Sequence, residues 1–497
     1  MNLLNNHHPL LMFLVFLTTT SLFSESYSSH RLDDKNYLFG GRKNLYNEGR
    51  IESVLPQKYL TSEKPIYETE SFSDISIKQY LSPKFYSQKG GDKEDLARRY
   101  ATQVSYSPEL VGFKKAGNTK YMLLISPILS YREDFQLKRN VIRPADGEFI
   151  TAWKLDENHF SLNLEGGRGF QRLDAYGVLF SGITNYAETN FYWKPLDIKF
   201  SLLGLSYNYL QENFTIRANN TNNKLFGGSL LLQSIPMINR LQIFNYQILE
   251  PGQIAEKEYL QEDRPFKPKG KFSYRGFELK TKDFFAKINS ELGVFSVTGY
   301  RDYAEYSYQA YNNINKTNGF LSYLVLNFLF EKLDFRTGGL YATKDKSTSL
   351  NRAHNGYSSL LSDVRIFGGK SSFLLMETVN QKNGTLFREF DSTRENRYDT
   401  KGMELVSLGI SYNISQNLQL SGILNHVSSG IGIGNEGILS AIYHLTSSNW
   451  GSGFLLTSIC LARVNPVTQK KILYDEFRVD PDIKEFTRFY ISGGFYF

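Results

Sequence analysis

Apolar and polar positions alternate with a period of two along most of this chain. In Asn158–Glu165, Phe160, Leu162 and Leu164 oppose His159, Ser161, Asn163 and Glu165. In Val406–Ile414, Val406, Leu408, Ile410, Tyr412 and Ile414 oppose Ser407, Gly409, Ser411 and Asn413. A strand sends successive side chains to opposite faces, so each segment has one greasy wall and one polar or small wall. Glu188–Lys194 and Ala304–Tyr311 repeat the pattern. Further strands are predicted at Tyr121–Tyr131, Gly228–Ser234, Leu241–Leu249, Phe272–Thr281, Phe320–Phe330, Leu333–Thr343, Ser372–Val379, Leu418–Val427, Ile438–Thr446 and Gly453–Val464. After Ile198, Phe200 and Leu202 the apolar parity switches to Leu203, Leu205, Tyr207 and Tyr209, as a β-bulge would cause. Helical stripes are nearly absent.

The last segment, Phe486–Phe497, has Phe489, Ile491, Phe495 and Phe497 on one face and Arg488, Tyr490, Ser492 and Tyr496 on the other. An apolar strand ending on an aromatic residue suits a barrel whose final strand closes on its first. Phe495 and Phe497 resemble the terminal signal read by the barrel-assembly machinery of bacterial outer membranes. At the other end, the apolar run Leu10–Leu17 precedes Thr18, Thr19, Thr20 and Ser21 and a small-x-small pattern at Ser24-Glu25-Ser26. This reads as a secretory signal over residues 1–26, although its first residues lack Lys and Arg. The run is too short to span a bilayer, which takes about 20 apolar residues.

Composition agrees with a strand-built membrane protein. The 497 residues hold 33 Tyr and 37 Phe against 14 Pro and one Cys. Mean hydropathy is -0.37. A barrel that alternates lipid-facing and water-facing residues hides in such an average. The predicted fold is all-β: a transmembrane antiparallel barrel of roughly 16 to 20 strands over residues 121–497. The polar stretch 27–120 would be a periplasmic extension, a plug or a few early strands. A soluble sandwich or propeller also alternates, but no fixed repeat supports a propeller. The connections are unequal, short at Ser415-Gln416-Asn417 and Glu331-Lys332 but long at Gly252–Lys271, Asn380–Gly402 and Asn465–Lys484. Short turns at one end and long loops at the other are the outer-membrane pattern.

No phosphate-binding loop, dinucleotide fingerprint or His/Cys metal spacing occurs, so no cofactor is implied. His426 and Ser428 lie two apart, as in outer-membrane lipid hydrolases, but without a third residue to orient the His. Cys460, alone, reads as a packing residue. The net charge of +7 comes without a Lys/Arg block, which argues against a nucleic-acid partner. Charge on a lipid face is costly, so Lys194, Arg217, Arg336 and Arg488 are expected in the lumen or at the rims. A basic lumen would favour anionic solutes; a balanced one would serve as a general pore.

Two stretches resemble the alginate-export family of outer-membrane channels. In Phe160–Leu203, Gly167, Arg168, Phe170 and Arg172 resemble the family's Gly-Arg-Gln-Arg segment, and FYWKPLDIKFSLLG follows. Near the end, His426, Gly434-Asn435-Glu436 and AIYHL resemble its His, Gly-x-Glu and apolar-strand spacing. The chain departs from the family at Gly169-Phe170, inserted between the arginines, and in lacking the acid expected after Glu436. The resemblance implies a monomeric barrel passing an anionic polymer or solute through an electropositive constriction. It points to Arg168, Arg172 and Asp174 as lumen residues there, or as braces of the wall. The expectation is an outer-membrane, porin-like channel for hydrophilic solutes, anionic ones included. The rival is a surface adhesin or receptor that binds ligands through its long loops.

Overall fold

The computed structural model describes residues 73–496, with breaks at 90–97, 135–138, 208–222, 252–268, 283–287, 303–313, 345–352, 358–401, 429–433, 447–451 and 465–484 and at positions 234, 331, 355 and 416. The predicted signal segment 1–26 and the candidate strands Ala304–Tyr311 and Ser372–Val379 lie outside the described residues.

One sheet holds β1 (Ser73–Lys89), β2 (Arg98–Ala116), β3 (Thr119–Asp134), β4 (Arg139–Asp156), β5 (Phe160–Arg172), β6 (Ser181–Trp193), β7 (Ile198–Tyr207), β8 (Asn223–Leu232), β9 (Ile238–Pro251) and β10 (Lys269–Thr281). It continues with β11 (Ile288–Asp302), β12 (Ile314–Leu329), β13 (Leu333–Ala342), β14 (Ala353–His354), β15 (Met403–Asn413), β16 (Leu418–Ser428), β17 (Gly434–Thr446), β18 (Ser452–Val464) and β19 (Glu485–Tyr496). β14 is a two-residue stretch parallel to β12. The other eighteen described strands run antiparallel, with β13 joined directly to β15. β1 pairs with β19, Tyr80 opposite Tyr496 and Lys89 opposite Thr487, and the ring is closed. Closure leaves no edge, so the backbone hydrogen bonds are satisfied within the wall.

β1 and β2 belong to this ring, so the barrel starts by Ser73, ahead of the Tyr121 boundary read from the pattern. The alternation exists in β1, where Ile75, Ile77, Leu81 and Phe85 share a parity, but Gln79 and Pro83 dilute it. The expected bulge near Leu203 is absent. β7 keeps an unbroken register with β6 and β8. Its two faces are both apolar: Phe200 and Leu202 point out, while Leu203 and Leu205 point in and join the interior cluster.

The wall is greasy outside and polar within. On β15, Val406 (58%), Leu408 (43%), Ile410 (47%) and Tyr412 (47%) are exposed, whereas Ser407 (1%) and Ser411 (2%) are buried. A soluble sheet would do the opposite, so the outer face is a lipid face. Among the described residues no helix is long and apolar enough to cross a membrane, which leaves the crossing to strands. Inward polar side chains bond across neighbouring strands, with Asn327 Nδ2 donating to Asn289 Oδ1 at 2.7 Å, Ser440 Oγ 2.8 Å from Ser458 Oγ, and Asn425 Nδ2 donating to Glu436 Oε2 at 3.3 Å. Outward Phe160, Phe191 and Trp193 stack near the end of the barrel that carries the short turns, with centroids 5.9 and 6.3 Å apart. Aromatic rings at that level form an interfacial girdle.

Candidate constriction

The β5–β6 connection, residues 173–180 (LDAYGVLF), lies at the long-loop end but folds inward. Leu173, Asp174, Tyr176, Val178, Leu179 and Phe180 are all buried. Asp174 shapes it. Its Oδ1 accepts the backbone N–H groups of Tyr176 (3.2 Å) and Val178 (2.7 Å), and its Oδ2 those of Leu179 (2.8 Å) and Phe180 (3.4 Å). A short Asp side chain next to a turn suits this role. Gly177 takes φ 65°, a left-handed conformation that glycine adopts without strain.

The inner end of the loop is tied to β10, β11 and β12. Ala175 N–H donates to Glu278 Oε1 at 2.8 Å, and Tyr176 Oη donates to Glu291 Oε2 at 2.5 Å. Tyr323 Oη also donates to Glu278 Oε1, at 2.5 Å, and its ring meets that of Tyr176 edge-on at 5.0 Å. The two carboxylates carry cations of their own: Arg240 lies 3.6 Å from Glu278, and Lys280 2.7 Å from Glu291. Around these polar ties sit Phe244, Phe295, Tyr274 and Tyr246. Gly293 makes room, since a Cβ there would run into the Tyr323 ring. A second inward piece is Tyr357, whose N–H donates to Thr343 O at 2.9 Å and whose ring meets Tyr274 edge-on at 6.4 Å.

The sequence-predicted residues separate here. Asp174 is buried, and its carboxylate is occupied by the loop's own backbone. Arg336 faces the lumen, on the same parity of β13 as the buried Leu340 and Ala342 and opposite Asn327 and Gly409. It forms no ion pair among the described residues. Arg168 is not in the lumen. It shares the parity of the exposed Leu164, sits opposite Phe149 on β4 and Asn185 on β6, and donates to Asn185 Oδ1 at 3.3 Å. The backbone of Arg172 ends β5 opposite Ser181, and its side chain lies outside the described residues. Lys194 opens a one-turn 3-10 helix, Lys194–Leu196, and braces the short-turn rim, with Nζ 2.5 Å from Asp156 Oδ1 and 2.6 Å from Glu157 O. Phe495 lies in β19 opposite Leu81 and Gly453; Phe497 is outside the described residues.

His426 Nδ1 is 2.6 Å from Asn435 Oδ1, so its described partner is a neighbour on β17 and not Ser428. Cys460 is fully buried among apolar side chains, as a packing residue would be. The lumen is mixed in sign. Glu148, Glu165, Glu250, Glu278 and Glu436 face in with Lys120, Lys154, Arg240, Lys280 and Arg336. An outward hollow of about 1150 Å³, where Thr151, Gly166, Ala187 and Gly204 lie among Leu123, Leu202 and Phe226, opens to lipid and is not the passage.

No family model matches the chain, and no curated protein does. Solved structures do. The chain is similar to OccK9 (OpdG) of Pseudomonas aeruginosa, with 11% identity and a TM-score of 0.50 over 85% of this chain and 99% of that one. It is also similar to a BenF-like porin of Pseudomonas fluorescens Pf-5, with 10% identity and a TM-score of 0.49 over 85% and 99%. The chain has the fold of a porin barrel. At these identities the likeness is one of fold, and the inward loop, Arg336 and the carboxylates are described from this chain alone. The loop was not identifiable as inward from its length. Its apolar content, YGVLF in a connection at the long-loop end, is the signal that marks it.

Proposed function

We propose that this protein is a passive outer-membrane channel for small hydrophilic solutes, narrowed by residues 173–180. The observation that carries the proposal is an inward loop pinned to the wall of a closed eighteen-strand ring. Rings of about 16 to 18 strands enclose an aqueous lumen. The loop reduces that lumen on the side of β10–β12 and leaves Arg336 facing it. Glu278 and Glu291 are engaged by the loop and by Arg240 and Lys280, so they offer little free negative charge to a solute. Arg336, with no ion pair among the described residues, favours an anionic group on a hydrophilic solute. The mixed lumen supports modest preference rather than a strict filter. The alginate-export likeness narrows the solute to an anionic saccharide or polymer. Its motif arginine Arg168 lies outside the lumen, so support for a polymer comes from the likeness alone. The structure of OccK2 (OpdF) was solved with glucuronate, which makes glucuronate a convenient first solute to test here. The terminal Phe495 and Phe497 are proposed as the signal for the barrel-assembly machinery.

The test is single-channel recording of the mature protein in a planar bilayer under asymmetric KCl. Discrete steps with mild anion preference support the channel, and added glucuronate should block them transiently. A folded barrel that carries no current would overturn it and favour a ligand-binding surface protein built on the long loops.

A further inference from the structure

The outer face carries an unusual row at the long-loop end of the barrel. Strand register aligns Arg168 on β5 with Asn185, Ser206, Lys224 on β8, Leu249, Lys271 on β10, Tyr300 and Lys316 on β12. Lys224, Lys271 and Lys316 are exposed and lie on alternate strands, so their Cα atoms are about 10 Å apart, twice the strand spacing. Arg275 is exposed four residues further into the barrel on β10, about 13 Å along the strand from Lys271. None of these four cations forms an ion pair among the described residues. Below the row the outer face is greasy, with Phe226, Ile243 and Leu324 exposed. Tyr300 lies in the row itself, at the level where interfacial aromatics stand.

Arg275 is the telling member. An arginine on a lipid face is costly unless its charge is met. Its flanking outward neighbours are polar: it stands opposite Asn245 and Ser296, and Ser273 Oγ donates to Asn245 Oδ1 at 3.3 Å beside it. A polar strip thus runs down from the lysine row into the greasy belt. It supplies donors and cations, and no described carboxylate.

We propose that this face binds the phosphate groups of an anionic lipid in the extracellular leaflet, with the lysines on the headgroup and Arg275 answering its negative charge from the polar strip below. Phosphate oxygens take charge-assisted hydrogen bonds from Lys and Arg, and the spacing suits a headgroup with more than one phosphate. A second copy of the chain is the wrong partner, since a symmetric contact would set like charges against each other. The proposal rests on placement in an outer membrane, not on conduction.

The experiment is native mass spectrometry of the full mature chain, folded in detergent micelles, with diphosphorylated lipid A, the same lipid without phosphates, and inorganic phosphate as separate probes. Wild type should retain the diphosphorylated lipid. The combined variant Lys224→Gln, Lys271→Gln, Arg275→Gln and Lys316→Gln should bind it at least tenfold more weakly. Lys114→Gln, exposed at the opposite rim, should bind as wild type does. Heat-modifiable migration confirms that each variant is folded; a quadruple variant that fails this check is replaced by Lys224→Gln with Lys271→Gln, expected to weaken binding several-fold. Equal retention by wild type and variant overturns the proposal. So does equal binding of the phosphate-free lipid, competition by millimolar inorganic phosphate, or a stable dimer without lipid. Absent channel current with selective lipid binding would sink the channel reading and leave this one standing.

Discussion

Tyr176 and Glu291 are 115 residues apart in sequence, yet the tyrosine hydroxyl donates a 2.5 Å hydrogen bond to the glutamate Oε2. One belongs to the β5–β6 connection and the other to β11. This contact ties the loop to a distant part of the wall. Glu291 also meets Lys280 at 2.7 Å, so loop, carboxylate and cation form one chain. A hydrogen bond to a charged group contributes about 1.5 to 3 kcal/mol, more than a neutral one. Glu278 repeats the logic two strand positions away in the same cluster, joining Ala175 N–H, Tyr323 and Arg240. An inward loop gives up water and needs such partners.

Tyr176→Phe removes the donor and keeps the ring against Tyr323. The expected result is a folded barrel with a looser loop. Single-channel records should show more open-state noise and brief substates, at nearly unchanged mean conductance. A trace as quiet as wild type would show that the hydroxyl does not hold the loop.

Asp174→Ala has a larger effect. It leaves four backbone N–H groups of the loop without their acceptor, and each buried orphan costs about 1 to 3 kcal/mol. The loop is expected to leave its wall while the eighteen-strand ring persists. Conductance should rise clearly, and limited proteolysis should cut near Tyr176 where wild type resists. Asp174→Asn keeps one acceptor oxygen and should fall between the two. Unchanged conductance in Asp174→Ala would mean that residues 173–180 do not limit the passage.

Much of the barrel was legible because its lipid face is written in residue type. Val406, Leu408, Ile410 and Tyr412 alternate with Ser407, Gly409 and Ser411, and the structure exposes the first set. The placement of Arg168 was legible too. It shares parity with Leu162 and Leu164, so alternation puts it outside, and the family resemblance pointed the other way. Lys194 was read as an in-strand charge, whereas Pro195 next to it ends the strand and makes a rim turn. Asp174 stood out as an acid near a turn, but its acceptor role depends on backbone geometry that residue type does not encode. The ties from Tyr176 to Glu291 and from Ala175 to Glu278 join distant segments, and no local pattern carries such pairs.

Arg336→Glu tests which charges the solute meets. Arg336 faces the lumen opposite Asn327, and reversal puts a new carboxylate there. Reversal potentials in asymmetric KCl should move toward cation preference. Lys194→Met is the contrast. Its ion pair with Asp156 is partly exposed at the rim (35% and 28%), so its loss costs about 1 kcal/mol or less and should leave selectivity alone. If Lys194→Met moved the reversal potential as far as Arg336→Glu, the selective charge would lie at the short-turn rim.

Gly293→Val tests the packing that holds the constriction. The inward Cβ position of Gly293 is occupied by the Tyr323 ring, and Phe295 lies at 2.8 Å. Tyr323 cannot simply swing away, because its hydroxyl is bonded to Glu278 and its face is met by Tyr176. Overpacking of this kind costs about 1 to 3 kcal/mol. The strain falls first on the loop, the one partner not built into the ring, so conductance should rise as in Asp174→Ala while the barrel stays heat-modifiable. Pairing Gly293→Val with Tyr323→Ala frees the space and should recover part of the lost thermal stability, with conductance kept high because the ring against Tyr176 is gone. If the double variant is no more stable than Gly293→Val alone, the clash with Tyr323 is not the source of the cost.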